Sequence, residues 1–265
     1  MQLQIFQIDA FTDHVFGGNP AAVIPLTEWI SDDLMQQIAM ENNLAETVFF
    51  VHLETTGNTS DFHIRWFTPL SEVTLCGHAT LATAHYLFHH ADFQKNEIRF
   101  DSLSGILTVT KEGDLYTFNF PADKLSKIEP PEILICSLNI QPQETYQGNI
   151  DLLCIFNSQE EIELLIPDFR KMKQLGVRGV ICTAEGKESD FVSRYFAPAY
   201  GIDEDPVTGS AHTSLTPYWS NRLNKIVLSA VQLSKRRGHL LCKHLNDRVE
   251  ISGKCVTYSE GEVII

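Results

Sequence analysis

The hydrophobic residues of the chain recur in short runs or at alternating positions, a pattern typical of β-strands. Turn residues such as glycine, proline and asparagine separate these runs. Many short strands at this spacing favour an antiparallel sheet. The predicted strands cover 2–11, 21–26, 46–53, 61–67, 96–100, 105–110 and 114–120.

Helical periodicity interrupts the strands near position 31. Ser31 is a favoured N-cap residue, and Asp32 and Asp33 place negative charge in the first helical turn. Apolar residues at helical spacing follow from Leu34. The pattern predicts an amphipathic helix here, and a second helix should begin at Gly77.

Two segments of the chain resemble each other. DFHIRWFTP (61–69) and DFVSRYFAP (190–198) share five of nine residues at an offset of 129, and CGHA (76–79) and TGSA (208–211) follow at an offset of 132. Two matches at nearly one offset indicate an internal repeat. The alternative is that two unrelated strands both end in Phe-x-Pro.

The repeat predicts an α+β chain of two similar halves. A proline-rich stretch (120–132) lies between the two copies, so we expect an N-terminal half over 1–120 and a C-terminal half over 130–257. The last strand, near 258–265, would join the N-terminal half. We expect the equivalent glycine turns to face each other across a cleft, where small-molecule sites tend to lie.

The composition is that of an ordinary globular chain, with 43% hydrophobic and 20% charged residues among 265. With 20 basic and 34 acidic residues the net charge is −14, which disfavours nucleic acid or an anionic membrane as a partner. The chain shows no signal peptide and no long apolar run, so we expect a cytoplasmic protein. The six cysteines form no C-x-x-C pair and should be free thiols.

Each glycine turn of the repeat is predicted to open a helix, over 77–90 and 209–219. A helix N-terminus presents unpaired N–H groups and the positive end of the dipole, so it binds carboxylates. Glycine at the turn lets a ligand approach the backbone, which makes Gly77 and Gly209 candidate binding residues. His78 and Ser210 are then the first side chains that can meet a ligand, although both residues can equally cap their helices.

Two acidic residues are candidates for proton transfer. Glu46 lies at the start of an apolar strand, and loss of hydration there suits a carboxyl group to exchanging protons near neutral pH. A glutamate at a strand start can also simply face water, and the pattern alone favours that alternative. Asp205 precedes the second glycine turn by four residues, whereas Asp203 and Glu204 are expected in a solvated loop.

Other kinds of site have weaker support. His85 and His89 are spaced like a metal-ligand pair, but the glutamate of H-E-x-x-H is absent, so we expect no metal. Cys76 resembles an acid–base thiol of a two-cysteine racemase, yet its partner in the repeat is Thr208. No G-x-G-x-x-G or Walker A motif supports a nucleotide cofactor.

Four motifs in order make the chain resemble the phenazine biosynthesis PhzF-like family, which is similar to diaminopimelate epimerase in fold. The motifs are FGGNPAAV (16–23), NLAET (43–47), LCGHAT (75–80) and EDPVTGSAH (204–212), and the match covers nearly the whole chain. The resemblance implies two pseudo-symmetric halves, each a curled antiparallel sheet around a central helix. It also implies an active site between the halves and a homodimer.

The resemblance further implies cofactor-free isomerisation of the trans-2,3-dihydro-3-hydroxyanthranilate type, in which a glutamate moves a proton between ring carbons. That role falls on Glu46. Substrate holding and proton handling fall on His78, Asp205 and Ser210, with backbone contacts at Gly77 and Gly209.

Three hypotheses follow. The first is a cofactor-independent isomerase of a small carboxylate with Glu46 as general acid and base. The second is a racemase or epimerase acting at an α-carbon, for which only Cys76 of the required thiol pair is present. The third is a carboxylate-binding protein without turnover, in which ligand binding would survive loss of the Glu46 carboxylate.

Overall fold

The protein is described from a computed structural model that covers residues 1–53 and 59–265. It divides into two compact units, each treated by itself below. The N-terminal unit comprises residues 1–119 and 252–265, and the C-terminal unit comprises residues 120–251. That each half is a domain in its own right, with the boundaries expected from the sequence, stays a prediction.

The N-terminal unit is a sheet with two helices. The helices are α1 (Asp32–Asn42) and α2 (Gly77–His89). The strands are β1 (Gln2–Ala10), β2 (Asn19–Leu26), β3 (Glu46–His52), β4 (Phe62–Phe67), β5 (Glu72–Val73), β6 (Glu97–Asp101), β7 (Leu107–Glu112), β8 (Leu115–Pro121) and, after the C-terminal unit in the chain, β18 (Cys255–Ile264).

The C-terminal unit repeats this plan. Its helices are α3 (Glu132–Ser137), α4 (Gln159–Glu163), α5 (Phe169–Met172) and α6 (His212–Leu223). Its strands are β9 (Ser126–Ile128), β10 (Glu144–Gln147), β11 (Asp151–Ile155), β12 (Gly179–Glu185), β13 (Phe191–Ala197), β14 (Ile202–Asp205), β15 (Val227–Gln232), β16 (Gly238–Leu245) and β17 (Arg248–Gly253).

Strand pairing follows one order in both units. In the N-terminal unit β18, β1 and β2 pair antiparallel, β2 and β3 parallel, β3 and β4 antiparallel, and β4 and β6 parallel. In the C-terminal unit β9 to β13 and β15 repeat this sequence of directions. The pairing confirms the internal repeat and the pseudo-symmetric α+β fold.

The parallel pairs are the one departure from the antiparallel sheet that the sequence predicted. A parallel pair needs a crossover connection, usually a helix. Helix α1 lies in the chain between β2 and β3, and α2 lies between β4 and β6. In the other unit α4 and α5 connect β11 to β12, and α6 connects β13 to β15.

The shared arginine of the repeat has the same partner in both copies. Arg65 donates from Nε and Nη2 to the two carboxylate oxygens of Glu72, at 2.7 and 2.8 Å. Arg194 donates in the same way to Glu204, at 2.7 and 2.9 Å. Glu204 therefore lies on a strand, β14, in a half-buried ion pair, and its predicted place in a solvated loop is wrong.

Helix α1 begins as predicted, with the Ser31 side chain accepting a hydrogen bond from the Leu34 amide. Its apolar face, including Met35 and Ile38, packs against β2 and β3 in one core cluster. Helix α2 differs in character, because every residue from 78 to 87 is buried. It packs against β1, β2, β3 and β18 as the central helix of its unit.

The second glycine turn corrects a prediction. Gly209 begins a short 3₁₀ turn over Gly209–Ala211, and the α-helix α6 begins only at His212. Helix α6 also contains Pro217, which has no N–H to donate to the Thr213 carbonyl one turn earlier. That carbonyl accepts the Asp123 amide at 3.1 Å instead, so the helix tolerates its proline.

Candidate active site

Glu46 is the first residue of β3, and only 9% of it is exposed. Its neighbours in the strand, Thr47 to Val51, are all buried, because β3 lies between β2 and β4 in the sheet. The carboxylate therefore sits in the interior of the N-terminal unit. The alternative that this glutamate simply faces water does not hold.

His78 meets Glu46 at the start of helix α2. The imidazole Nε2 lies 3.1 Å from the Glu46 carboxylate Oε2, and His78 is 5% exposed. Within the described ranges, neither of these two atoms has a hydrogen-bond partner with acceptable angles. A buried acid and base at this distance, with both facing atoms otherwise unused, can exchange a proton.

The other edge of the His78 ring is also occupied. The side-chain amide of Asn19 lies 3.2 Å from Nδ1, and the Cys76 Sγ lies 3.5 Å from the same nitrogen. Asn19 and Cys76 are both buried. The imidazole thus stands between a carboxylate on one edge and an amide and a thiol on the other.

Charge and burial act on these groups in opposite senses. Burial raises the pKa of the Cys76 thiol to about 11, the Glu46 carboxylate adds to this, and His78 opposes it. Burial alone lowers the pKa of His78, but Cys76 and Glu46 outweigh it and hold that pKa well above its ordinary value. Because the thiol is neutral at neutral pH, Glu46 is the partner that favours the imidazolium there.

Glu46, Cys76 and His78 are close enough together to be considered as metal ligands, with one donor atom of each within 4.8 Å of the others. However, Cys76 approaches Nδ1 of His78 and Glu46 approaches Nε2. A single ion is bound by one nitrogen of an imidazole, whereas the two contacts as they stand are made to different nitrogens of the ring. The closest contact in the group, between Glu46 and His78, is one that allows proton exchange.

Gly77 lies between Cys76 and His78 at the first position of α2. A Cβ atom built on Gly77 would meet no atom of the described residues within 4 Å. Packing therefore does not require glycine here, and the space beside the backbone is open to a ligand. This agrees with the predicted approach of a carboxylate to the helix N-terminus.

The predicted residues of the C-terminal unit belong to a different network. The Thr208 hydroxyl donates to the Asp205 carboxylate, and the Gln232 side chain accepts from the Thr208 amide at 2.8 Å and donates to the Asp205 carbonyl at 2.8 Å. Gly209 is buried and Ser210 half-buried in the 3₁₀ turn that follows. The fully buried Gln232 fixes the segment that carries Asp205.

His212 was not predicted as a site residue. Its Nδ1 donates to the Thr208 carbonyl at 2.9 Å, which leaves Nε2 without the ring proton. Burial lowers the pKa of His212 to about 4, so the ring is neutral at neutral pH. Only the spacing of four residues from Thr208 could have indicated this contact in the sequence, and such spacings are common.

The histidines near the end of α2 are engaged in structural contacts. His85 Nδ1 lies 3.1 Å from the Tyr116 hydroxyl, and Nε2 lies 3.1 Å from the Thr257 hydroxyl. Burial lowers the pKa of His85 to about 3, with His89 and His90 adding to the effect. Both ring nitrogens are therefore occupied, which argues against a metal role for His85.

Comparison with known proteins places these residues in context. Residues 8–261 match the family model described as phenazine biosynthesis-like protein. An uncharacterised isomerase of Pseudomonas aeruginosa is 48% identical over 98% of this chain and 98% of its own length. The crystal structure of a PhzF-family phenazine biosynthesis protein from Enterococcus faecalis has 42% identity and a TM-score of 0.94, with 100% of both chains covered.

A more distant structure shows how widely the fold is shared. A hydroxyproline epimerase from Agrobacterium vitis has a TM-score of 0.64 at 10% identity, covering 99% of this chain and 92% of the epimerase. The predicted diaminopimelate epimerase-like fold is confirmed. None of the helices in the described ranges has the length and apolar character needed to cross a bilayer.

Proposed function

Since the chain belongs to the phenazine biosynthesis-like family, we propose that it is a cofactor-independent isomerase that moves a proton on a small carboxylate, with Glu46 as general acid and base. The observation that carries the proposal is the buried contact of 3.1 Å between Glu46 and His78, with both facing atoms free of other hydrogen bonds in the described part of the chain. Three relatives, 43 to 48% identical, bear the name uncharacterised isomerase.

The chemistry assigns a step to each group. The Glu46 carboxylate removes a proton from a carbon atom of the substrate, and the carboxyl group so formed returns a proton to a second carbon. The imidazolium of His78 faces the carboxylate and stabilises its charge between turnovers. One acid–base group is sufficient when both carbons lie on the same face of the substrate.

Further roles are proposed for residues of each unit in turn. In the N-terminal unit, the amides at Gly77 and His78 would bind the substrate carboxylate at the start of α2. In the C-terminal unit we assign Asp205 to proton handling and Gly209 and Ser210 to binding, as the resemblance implies. Asp205 is already oriented by Thr208, which supports a role for a fixed carboxylate.

We propose that the substrate is a small cyclic carboxylate of the trans-2,3-dihydro-3-hydroxyanthranilate type. We also expect a homodimer in the cytoplasm. Light scattering of the purified chain tests the homodimer, and a monomeric mass would contradict it.

A racemase or epimerase is the second candidate function. The specific observation in its favour is the Cys76 thiol, which contacts the opposite edge of the His78 ring from Glu46. Two proton-handling groups are what inversion at a carbon atom requires. In that case Cys76→Ser and Glu46→Gln would each abolish interconversion of the two stereoisomers, while each variant keeps exchange on the face served by the remaining base.

The test is deuterium incorporation, followed by NMR in heavy water with a panel of small carboxylates that includes trans-2,3-dihydro-3-hydroxyanthranilate. We expect exchange at carbon with the wild type and its loss in Glu46→Gln. Glu112→Gln is the matched control, because Glu112 is exposed on β7 of the same unit. For the C-terminal unit, Asp205→Asn should lose activity and Asp203→Asn, on the same strand but exposed, should keep it.

Each outcome has a definite meaning. Exchange that survives Glu46→Gln contradicts the proposed acid–base role. Loss of stereoisomer interconversion in both Glu46→Gln and Cys76→Ser, with exchange kept on one face in each, favours the epimerase. Tight binding of a carboxylate, with no exchange and no dependence on Glu46, favours a binding protein without turnover.

A further inference from the structure

Asn19 has a contact that the proposed reaction does not yet use. Its side-chain nitrogen Nδ2 lies 3.2 Å from Nδ1 of His78, whereas Glu46 approaches Nε2. Asn19 is 0% exposed. Buried polar groups are nearly always hydrogen-bonded, and a partner at one nitrogen of a histidine ring fixes the orientation and protonation of that ring.

We infer that Asn19 is a positioning residue, which orients the His78 imidazolium toward the Glu46 carboxylate and provides a partner for Nδ1 whichever ring nitrogens carry protons. The inference rests on the proposed function for its role in turnover. The contact itself, and its effect on the ring, can be measured without a substrate.

The proton balance explains why this partner matters. When the His78 imidazolium gives its Nε2 proton to the Glu46 carboxylate, the products are a carboxylic acid and a neutral imidazole that still carries a proton on Nδ1. That N–H needs an acceptor in a buried site. When the ring instead holds its proton on Nε2, the bare Nδ1 needs a donor.

Asparagine meets both needs with one group. Its amide carries an acceptor oxygen and a donor nitrogen, and rotation of the amide by half a turn exchanges the two with little change in shape. The Cys76 thiol, 3.5 Å from Nδ1, is protonated at neutral pH and is a weak acceptor. Asn19 is therefore the stronger partner for the protonated nitrogen.

The backbone holds Asn19 in place for this task. It is the first residue of β2 and pairs in register with Ala10 of β1. Gly18 before it has φ +59°, and a Cβ at Gly18 would lie 2.1 Å from the Ala10 carbonyl oxygen. The turn can therefore be made by glycine alone, and it delivers the Asn19 side chain to α2 at a fixed angle.

The first experiment is NMR of the histidine ring nitrogens in the full chain labelled with ¹⁵N-histidine, recorded at several pH values without substrate. Asn19→Asp places a carboxylate beside Nδ1, so we expect His78 to stay doubly protonated to higher pH than in the wild type. Asn19→Leu removes both polar atoms, so we expect the ratio of the two neutral His78 tautomers, protonated on Nδ1 or on Nε2, to change.

Two controls make the result specific. Asn42→Asp changes an asparagine of the same unit whose amide donates to the Thr47 hydroxyl at 3.1 Å, next to Glu46. It should leave the His78 signals unchanged. Cys76→Ser keeps a group that can donate and accept, so it should alter the His78 signals less than Asn19→Leu does.

The second experiment is the deuterium exchange assay with the same variants. We expect Asn19→Leu to lower the rate by about 10- to 100-fold, by analogy with the loss when residues that orient metal-binding histidines are removed. The pH dependence of the rate should follow the His78 titration of each variant. If Asn19→Leu does not fold, Asn19→Asp is nearly identical in shape and answers the same question.

The inference is overturned if the His78 nitrogen signals and their pH dependence are the same in Asn19→Asp as in the wild type. This outcome differs from failure of the proposed function, in which no carboxylate exchanges deuterium in the wild type while the Asn19 variants still shift the His78 signals. A structural role alone predicts loss of stability with unchanged ring titration.

Discussion

Each copy of the repeat buries a carboxylate at the start of its parallel strand pair. The acid lies on the second strand of the pair in the N-terminal unit and on the first strand in the C-terminal unit. In the N-terminal unit, β3 begins with Glu46, which faces Ala21 of β2. In the C-terminal unit, β12 begins with Gly179, which faces Asp151 of β11. The acid has thus moved to the neighbouring strand, and its partners have changed with it.

Both carboxylate oxygens of Asp151, the acid of the C-terminal unit, have hydrogen-bond or ion-pair partners. Asp151 Oδ1 accepts from Arg178 Nε and from the Tyr195 hydroxyl, both at 3.0 Å, and Oδ2 forms an ion pair with Arg178. A Cβ at Gly179 would lie 2.3 Å from the Tyr195 ring, so the space of a Glu46 equivalent is filled by the tyrosine. The Glu46 contact with His78, in contrast, leaves hydrogen bonds unmade.

The difference shows how a duplicated fold can use a buried acid for stability in one copy and for proton transfer in the other. A buried acid whose oxygens are satisfied stabilises its surroundings and cannot readily take up a proton. A buried acid with an incomplete set of partners is less useful to stability and is available for reaction. The predictions below test this division, from the largest expected effect to the smallest.

The largest expected effect is on activity in the N-terminal copy. Glu46→Gln should lower the rate of deuterium exchange by about 100- to 10,000-fold, the range typical of losing a general acid–base group. Its free energy of unfolding should change less than that of an Asp151 variant, because Glu46 has fewer hydrogen bonds to lose. Exchange kinetics and urea unfolding measure the two quantities. An unchanged exchange rate would contradict the division into a reactive Glu46 and a structural Asp151.

The next effect is on stability in the C-terminal copy. Asp151→Ala leaves the half-buried Arg178 guanidinium without its buried partner, so we expect a loss of about 3–5 kcal/mol in the free energy of unfolding. Urea unfolding measures the loss. Asp114→Ala, at an exposed position, is the control and should change stability by about 0.5 kcal/mol or less.

A smaller effect concerns pH. The folded pKa of His78 is raised, so its contribution to stability is complete below the unfolded value of about 6.5 and is lost as the pH rises through the folded value. The raised pKa of Cys76 acts in the same direction above pH 9. The free energy of unfolding should therefore fall as the pH rises above about 6.5, by up to about 1.4 kcal/mol per pH unit until the folded pKa of His78 is passed.

The control for the pH effect is His78→Gln, in which the fall that begins near neutral pH should be reduced. Urea unfolding at a series of pH values makes the measurement. A profile of His78→Gln that is parallel to the wild type would show that His78 does not titrate differently in the folded and unfolded states.

The smallest effect distinguishes the thiols. Cys76 is buried with a raised pKa, whereas Cys136 is exposed. Iodoacetamide at neutral pH should therefore modify Cys136 first and Cys76 only slowly, since the thiolate is the reactive form. Mass spectrometry of the digested protein gives the order, and rapid labelling of Cys76 would contradict the neutral thiol described here.

Much of the fold could be predicted from local pattern. The seven strands predicted in the N-terminal half and the helix capped by Ser31 are present, because alternation and capping are properties of neighbouring residues. The repeat was visible because it preserves side chains such as Arg65 and Arg194, whose ion pairs recur in both copies.

The rest depends on contacts between residues far apart in the chain. Asn19 and His78 are separated by 59 positions, and Arg178 and Asp151 by 27, so no local pattern indicates that they meet. The parallel pairings and the late start of α6 at His212 are set by how the helices connect the strands. Whether Glu46, His78, Asp205 and Ser210 act in catalysis stays a prediction.

The place of β18 also constrains how the protein can be made. Strand β1 (Gln2–Ala10) has two neighbours, and one of them, β18, is translated only after all residues of the C-terminal unit. During synthesis β1 therefore leaves the ribosome before this neighbour and waits with one edge unpaired until residues 255–264 emerge. An exposed edge of nine residues is a hazard for wrong association, and the long separation of the two strands makes their pairing slow. A chaperone that shields the unpaired edge of β1 would be most valuable in this interval.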